Sequence, residues 1–152
     1  MTSSGEFAES TPITLIGGYL GAGKTTLINR LLAHPRLPEG TAVLVNDFGD
    51  INIDESRIRS TSADGTIIGL SNGCVCCLIS DDLSKALDQL NQLPINHVIL
   101  ETSGVAEPGR VWGHCQYPGF TPKAAIVVVD ANDFEQRSKD KYVGSLVRAQ
   151  VD

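Results

Sequence analysis

Residues 18–25 carry glycines, a lysine and a threonine at the spacing Gly-x-x-x-x-Gly-Lys-Thr. Glycines let the backbone turn its N–H groups inward around phosphate oxygens. A lysine at this spacing can reach the β- and γ-phosphates of a nucleoside triphosphate, and the threonine hydroxyl that follows can ligate Mg²⁺. The alternative is a glycine-rich turn that only joins a strand to a helix, with the lysine in solvent. The residues expected to contact phosphate are Gly18, Gly21, Ala22, Gly23, Lys24, Thr25 and Thr26, with Lys24 also a catalytic residue and Thr25 the Mg²⁺ ligand.

A Mg²⁺ site of this kind also needs an acid from across the site, at the end of a buried strand. Glu101 directly follows the apolar run 97–100, and Thr102-Ser103-Gly104 comes next. Gly104 can bring its backbone N–H close to a γ-phosphate. Asp130 ends an equally good apolar run and is the alternative acid. The tripeptide after Glu101 favours Glu101 as Mg²⁺ ligand and catalytic residue, with Gly104 beside it.

Three cysteines, Cys74, Cys76 and Cys77, fall within four positions directly before a predicted helix. A helix N-terminus stabilises thiolate, which is the form that binds metal. Three thiolates suit Zn²⁺ or a related ion and leave a fourth tetrahedral place open, which favours transfer over permanent structure. Buried apolar cysteines or a redox pair are the alternatives. Cys115 beside His114 is a further candidate ligand, although an isolated pair of this kind is more often found on the surface.

An alternation of short apolar runs and helical patterns positions these segments. Runs typical of buried strands lie at 13–17, 41–46, 66–70, 97–100 and 124–129. Helices are predicted from Lys24 onwards and from Ser80 to about Gln92. Strands that are apolar on both faces belong to a parallel sheet with helices on both sides. The pattern predicts a three-layer α/β fold of the P-loop NTPase type with a mainly parallel sheet.

Composition limits the partners and the setting of the chain. Its 152 residues suit one domain, predicted over 12–152, behind a disordered polar tail at 1–11. The net charge of -6 argues against nucleic-acid binding, and no run approaches the roughly 18 apolar residues of a membrane span. Clustered cysteines do not resemble a disulfide framework and indicate a reducing, cytoplasmic setting. Residues 147–152 have the pattern of the middle of a helix, so the domain is expected to be incomplete at its C-terminus.

Four segments carry a family resemblance. They are Gly-Gly-Tyr-Leu-Gly-Ala-Gly-Lys-Thr-Thr-Leu at 17–27, Val-Asn-Asp-Phe-Gly-Asp at 45–50, Ser-Asn-Gly-Cys-Val-Cys-Cys at 71–77 and Glu-Thr-Ser-Gly-Val-Ala-Glu-Pro at 101–108. With these segments the chain resembles the CobW-like metal-chaperone GTPases, relatives of the nickel-insertion GTPases of urease and hydrogenase maturation. The resemblance implies hydrolysis of GTP with Mg²⁺, zinc or a related metal at the three cysteines, and delivery of that metal to a client metalloprotein.

The sequence departs from the family pattern in two places. Asp47 and Asp50 stand where the family has glutamates, and the Asn-Lys-x-Asp motif that reads guanine would lie beyond Asp152. Preference for GTP is therefore implied by the resemblance alone.

A GTP-driven metal chaperone is the function that these residues favour. Asp47, Asp50 and Asp54 are expected on a mobile loop between the phosphate site and the cysteines, so that hydrolysis would change metal affinity. Asp47 is expected to be catalytic by positioning the attacking water, with slow turnover unless a partner assists. The alternatives are an ATP-dependent P-loop enzyme with a structural zinc and a non-catalytic metal-binding fragment.

Overall fold

The computed structural model of the chain describes residues 9–45, 66–69 and 79–152. Its strands are β1 (Thr11–Gly17), β2 (Thr41–Val45), β3 (Thr66–Gly69), β4 (His97–Glu101) and β5 (Phe120–Val127). Its helices are α1 (Lys24–Leu32), α2 (Ile79–Leu90), α3 (Pro108–His114), α4 (Phe134–Ser138) and α5 (Gly144–Ala149).

The strands of this described part form one parallel sheet in the order β3-β2-β4-β1-β5. β1 lies between β4 and β5, and Leu15 of β1 is level with Leu100 on one side and Ala125 on the other. Parallel neighbours need long crossover connections, which are usually helical, and this accounts for the alternation of strands and helices along the chain. The predicted α/β fold with a mainly parallel sheet is confirmed.

Helices cover both faces of the sheet. On one face, Ile28 of α1 packs with Ile16, Val43, Val45 and Ile99. The other face carries the alternate residues of the same strands, packed against α2 and α3; its buried members include Ile13, Leu15, Ala42, Leu44, Val98, Leu100, Leu83, Leu87, Leu90 and Val111. Successive side chains of a strand point to opposite faces, so a sheet covered on both sides needs continuous apolar runs. The three predicted layers are present.

β5 differs from the sequence-based expectation of a buried strand. Residues 123–126 are exposed, and Ile126 retains 43% of its accessible surface. Among the described strands, β5 pairs with β1 alone and so lies at an edge of the sheet. The expectation of burial was wrong because an apolar run predicts a strand but not the place of that strand in the sheet.

The first and last described residues also differ from expectation. Thr11, assigned to the predicted tail, is the first residue of β1 and donates its N–H to the Gly119 carbonyl at 2.8 Å. It therefore belongs to the sheet. At the other end, α5 finishes at Ala149 with Gln150 as its C-cap, so the prediction of a helix continuing through 147–152 was wrong. None of the helices that the structure describes combines the length and hydrophobicity needed to cross a bilayer.

Candidate functional site

The loop between β1 and α1 has a backbone that requires glycine at three positions. Gly18, Gly21 and Gly23 have φ values of 138°, 74° and 106°. Residues with side chains rarely adopt such values. A Cβ at Gly18 would also collide with the carbonyl oxygen of Val128. The spacing of glycines in the sequence is therefore a requirement of this turn, which leads directly into α1 at Lys24.

Lys24 directs its ammonium group back across this loop. Its Nζ donates to the carbonyl oxygens of Gly18 at 2.8 Å and Tyr19 at 3.3 Å. The residue is only 8% exposed, so the positive charge is held within the loop. The N-terminus of α1 points its N–H groups to the same place, and both features favour a bound anion. The arrangement is suited to phosphate.

Thr25 and Glu101 meet across the carboxyl ends of β1 and β4. Glu101 is the last residue of β4 and is level with Ile16 of β1, which places it beside the loop. Thr25 Oγ1 donates to Glu101 Oε1 at 3.5 Å, and Glu101 is 8% exposed. An adjacent hydroxyl and carboxylate are the hard oxygen ligands that Mg²⁺ uses at phosphate sites. These two side chains therefore fit a Mg²⁺ ion.

The strand order explains why these groups meet. α1, which follows β1, packs on one face of the sheet, whereas α3, which follows β4, packs on the other. Neighbouring strands whose connections diverge open a crevice at their carboxyl ends, where α/β sheets bind ligands. This crevice has a volume of about 320 Å³ and is lined by Leu20, Gly21, Gly23, Lys24, Thr25, Thr26, Glu101, Thr102, Ser103 and Gly104.

Gly104 brings the turn after β4, residues 102–106, against the phosphate loop. A Cβ on Gly104 would lie 2.5 Å from Leu20 Cδ2 and 2.8 Å from the Leu20 backbone nitrogen. Thr102 anchors the start of the turn by donating its N–H to the Ile16 carbonyl at 2.9 Å. Leu20 was not singled out from the sequence. Its one signal is a large apolar side chain in a phosphate loop, and the structure leaves it 57% exposed.

Asp130, the alternative acid, lies elsewhere. It is exposed, and its Oδ1 accepts the N–H of Asn132 at 2.9 Å. It lines another cavity, of about 70 Å³, toward Phe134 of α4. β5 ends at Val127, so the expectation that Asp130 directly follows a strand was wrong. Of the two acids, Glu101 is the one that shares a crevice with Lys24.

Several sequence-predicted site residues lie outside the described residues: Asp47, Asp50, Asp54, Cys74, Cys76 and Cys77. Within residues 9–45, 66–69 and 79–152, the structure contains no group of three or more His, Cys, Asp or Glu side chains that could hold a metal ion. The zinc site stays a prediction from sequence.

Cys115 is a core residue. It is fully buried at the end of α3, and its thiol donates to the Val111 carbonyl at 3.4 Å. Burial raises the pKa of the thiol to about 11. The expectation of a surface pair with His114 was wrong for Cys115, because His114 is exposed while Cys115 turns into the core. A buried, protonated thiol is also a poor metal ligand.

Gln150 is a buried polar residue that the sequence analysis missed. It is 3% exposed, and its side-chain amide donates to the carbonyl oxygens of Gly104 and Ala106 at 2.8 and 3.1 Å. A signal was present, since Gln150 lies three residues after Val147 and therefore shares the inward face of the last helix.

Comparisons with known proteins agree with this geometry. The family model described as the CobW/HypB/UreG nucleotide-binding domain matches residues 12–152. The zinc chaperone CobW of a Sinorhizobium species is 34% identical over 143 residues, which are 86% of this chain and 40% of that protein. The zinc-regulated GTPase metalloprotein activator 1 of Dictyostelium discoideum is 34% identical over 112 residues, or 66% of this chain and 23% of that protein.

A solved structure is similar as well. The Zn(II)-bound YjiA GTPase from E. coli matches with a TM-score of 0.63 and 26% identity, over 94% of this chain and 46% of that chain. The chain thus spans less than half the length of each of these relatives. The matched family model covers nearly all of the chain, and it confirms the resemblance carried by the four sequence segments. The chain belongs to the CobW/HypB/UreG nucleotide-binding domain family.

Proposed function

We propose that the chain binds GTP and Mg²⁺ in the crevice between β1 and β4 and hydrolyses the nucleotide, as the nucleotide-binding part of a zinc metallochaperone. The observation that carries this proposal is the convergence of Lys24, Thr25 and Glu101 beside a glycine-rich loop. GTP rather than ATP is inferred from two relatives named as GTPases. Zinc is inferred from the relatives named for it and from the three clustered cysteines.

Each group in the crevice has a role in phosphate chemistry. The loop N–H groups and Lys24 neutralise charge on the β- and γ-phosphates as the bond to the leaving group lengthens. Thr25 and Glu101 would hold Mg²⁺, which would supply positive charge to the phosphate groups. Gly104 offers its backbone N–H from the opposite side, and Asp47 orients the attacking water. We expect slow turnover unless a partner supplies a further positive charge.

We assign zinc, the cargo, to Cys74, Cys76 and Cys77. Three thiolates at about 2.3 Å leave one tetrahedral position for water or for a ligand from the recipient, which suits release to a client metalloprotein. The segment with Asp47, Asp50 and Asp54 lies between the two sites in sequence and would transmit the nucleotide state to the cysteines. A reducing cytoplasm would keep these thiols available.

The nucleotide-binding part of the proposal is tested by measuring equilibrium binding of GTP, ATP and GDP, with Mg²⁺, to the wild type and to Lys24→Ala. Loss of the buried ammonium should weaken triphosphate binding by about a hundredfold or more, since charged hydrogen bonds contribute about 1.5–3 kcal/mol each. Lys85→Ala, on the exposed face of α2, removes the same formal charge and should bind as the wild type does. Unchanged affinity in a folded Lys24→Ala protein would refute the phosphate site, and tighter ATP than GTP binding would refute the base assignment.

The zinc half is tested by titration against a competing chelator, with GDP and with a non-hydrolysable GTP analogue. One zinc per chain is expected, bound with different affinity in the two nucleotide states and lost in a triple Cys→Ser variant of Cys74, Cys76 and Cys77. Linkage requires that zinc change the affinity for the nucleotide by the same factor. Equal zinc affinity in both states would refute the coupling between the two sites. Zinc binding retained by the triple variant would show that the three cysteines are not the zinc ligands.

A further inference from the structure

The side-chain amide of Gln150 is buried beside the nucleotide crevice, far in sequence from the residues that it contacts. Its Nε2 donates to Gly104 O at 2.8 Å and to Ala106 O at 3.1 Å. Both partners are acceptors, so the amide nitrogen must be the atom that faces them. At 3% exposure, neither hydrogen bond is replaced by water without opening the packing.

These two hydrogen bonds hold the 102–106 turn at and after Gly104, where the backbone rotates most freely. A glycine rotates about its backbone bonds more freely than any other residue, so the peptide after Gly104 has little orientation of its own. Holding the Gly104 carbonyl fixes that peptide plane. The following N–H, of Val105, then points the opposite way, toward the Ser103 hydroxyl that accepts it at 3.4 Å.

The turn is therefore held from two sides. Leu20 of the phosphate loop contacts Gly104 so closely that a Cβ there would lie 2.5 Å from Leu20 Cδ2. Gln150 holds the carbonyl groups, and its own backbone caps α5 by donating to the Leu146 carbonyl at 3.2 Å. The position of the turn against the crevice thus depends on α5 as well as on β4.

We propose that Gln150 is a positioning residue that sets the preference of the crevice for a nucleoside triphosphate over a diphosphate. The inference rests on the proposed function, in which Gly104 faces the γ-phosphate, while the glycine loop and Lys24 bind the β- and γ-phosphates and so still hold a diphosphate by its β-phosphate. The Gly104 N–H belongs to the preceding peptide, so Gln150 acts on it through the position of the whole turn. A turn that moves away when released from Gln150 loses the γ-phosphate contact, whereas the glycine loop keeps its own backbone geometry. Gln150 itself touches no phosphate and acts only through the turn.

The test compares the affinities of the 152-residue chain for a non-hydrolysable GTP analogue and for GDP, both with Mg²⁺. Gln150→Leu removes both donors and keeps a side chain of similar size. It should lower the triphosphate affinity on the order of tenfold, as expected for two neutral hydrogen bonds, and leave the diphosphate affinity within about twofold. Gln136→Leu, on the exposed side of α4, is the matched control and should change neither.

Two more variants test how the preference for triphosphate depends on the hydrogen-bonding ability of residue 150. Gln150→Glu places a carboxylate, which only accepts hydrogen bonds, against two carbonyl oxygens, so its preference for triphosphate should be weaker than that of Gln150→Leu. Gln150→Asn keeps an amide on a shorter side chain, and we expect an intermediate preference and a folded protein even if Gln150→Leu does not fold. Thermal unfolding of each variant is recorded alongside binding.

The outcomes separate the two proposals. Triphosphate preference that falls in the order wild type, Asn, Leu, Glu supports the positioning role. Equal weakening of both nucleotides, or an unchanged ratio with a lower Tm, shows that Gln150 only fastens α5 and overturns the inference while the proposed function stands. If the wild type binds neither nucleotide, the proposed function fails and the inference fails with it.

Discussion

Replacing Gly104 with Ala tests whether the close approach between the 102–106 turn and the phosphate loop is needed for nucleotide binding. The new methyl group would lie 2.5 Å from Leu20 Cδ2, 2.8 Å from Leu20 Cγ and 2.8 Å from the Leu20 backbone nitrogen. Rotation of the Leu20 side chain relieves the first two contacts but not the third. The turn or the phosphate loop must therefore move.

The magnitude follows from sterics alone, because the φ of Gly104 lies outside the left-handed range that strains other residues. Forcing one extra carbon into a packed contact costs about 1–3 kcal/mol. Part of that free energy destabilises the folded protein and lowers its free energy of unfolding. As the loop shifts, we also expect the triphosphate affinity to drop by at least about tenfold. Gly113→Ala in α3 is the control, since its Cβ meets nothing within 4 Å and alanine favours a helix by up to about 1 kcal/mol.

The assay is urea unfolding followed by circular dichroism, together with binding of a GTP analogue. The double variant Leu20→Ala, Gly104→Ala should recover little of either loss, because rotation of the Leu20 side chain already relieves the contacts that it removes and the backbone contact remains. Leu20→Ala alone should be mild at 57% exposure. A double variant that recovers both losses in full, or a Gly104→Ala protein as stable and as tight-binding as the wild type, would refute the argument that the backbone contact forces the movement.

Three further predictions concern single residues. Burial lowers the pKa of His97 below its ordinary value of 6.5. As the pH falls below 6.5, the unfolded chain takes up a proton at His97 that the folded chain does not. The free energy of unfolding therefore falls until the pH reaches the lower native pKa. Relative to His97→Gln, the wild-type free energy of unfolding should decline in that window and stay level above it, and parallel profiles would contradict this. Cys115 is buried, with a pKa raised to about 11, so it should react with Ellman's reagent at pH 8 only after unfolding. Labelling is compared with that of Cys115→Ser, which keeps the other three cysteines, and a fourth rapidly labelled thiol in the native wild type would be inconsistent with burial of Cys115. Glu101→Gln should slow Mg²⁺-dependent hydrolysis more than it weakens nucleotide binding, whereas Asp130→Asn should do neither; the reverse pattern would make Asp130 the acid.

The sequence alone determined the elements whose causes are local. Gly18, Gly21 and Gly23 impose their turn through their own dihedral angles, and Lys24 starts α1 directly after them. The apolar runs identified strands because a sheet covered on both faces needs side chains of that kind at every position. Within the described residues, the strand, glycine loop and helix around the lysine could therefore be predicted from the sequence.

Tertiary structure decided what depends on the order of the strands. Glu101 and Asp130 follow equally apolar runs, and both β4 and β5 lie beside β1. The structure separates the two acids, because Glu101 is the last residue of β4 and meets Thr25, whereas β5 ends at Val127 and Asp130 lies beyond it. The exposure of β5 follows from its position at the sheet edge. Gln150 reaches Gly104 across 46 residues of sequence, a contact that no local pattern encodes. Local dihedral preferences and side-chain periodicity act over one or two turns of chain, whereas these contacts arise from which strands become neighbours.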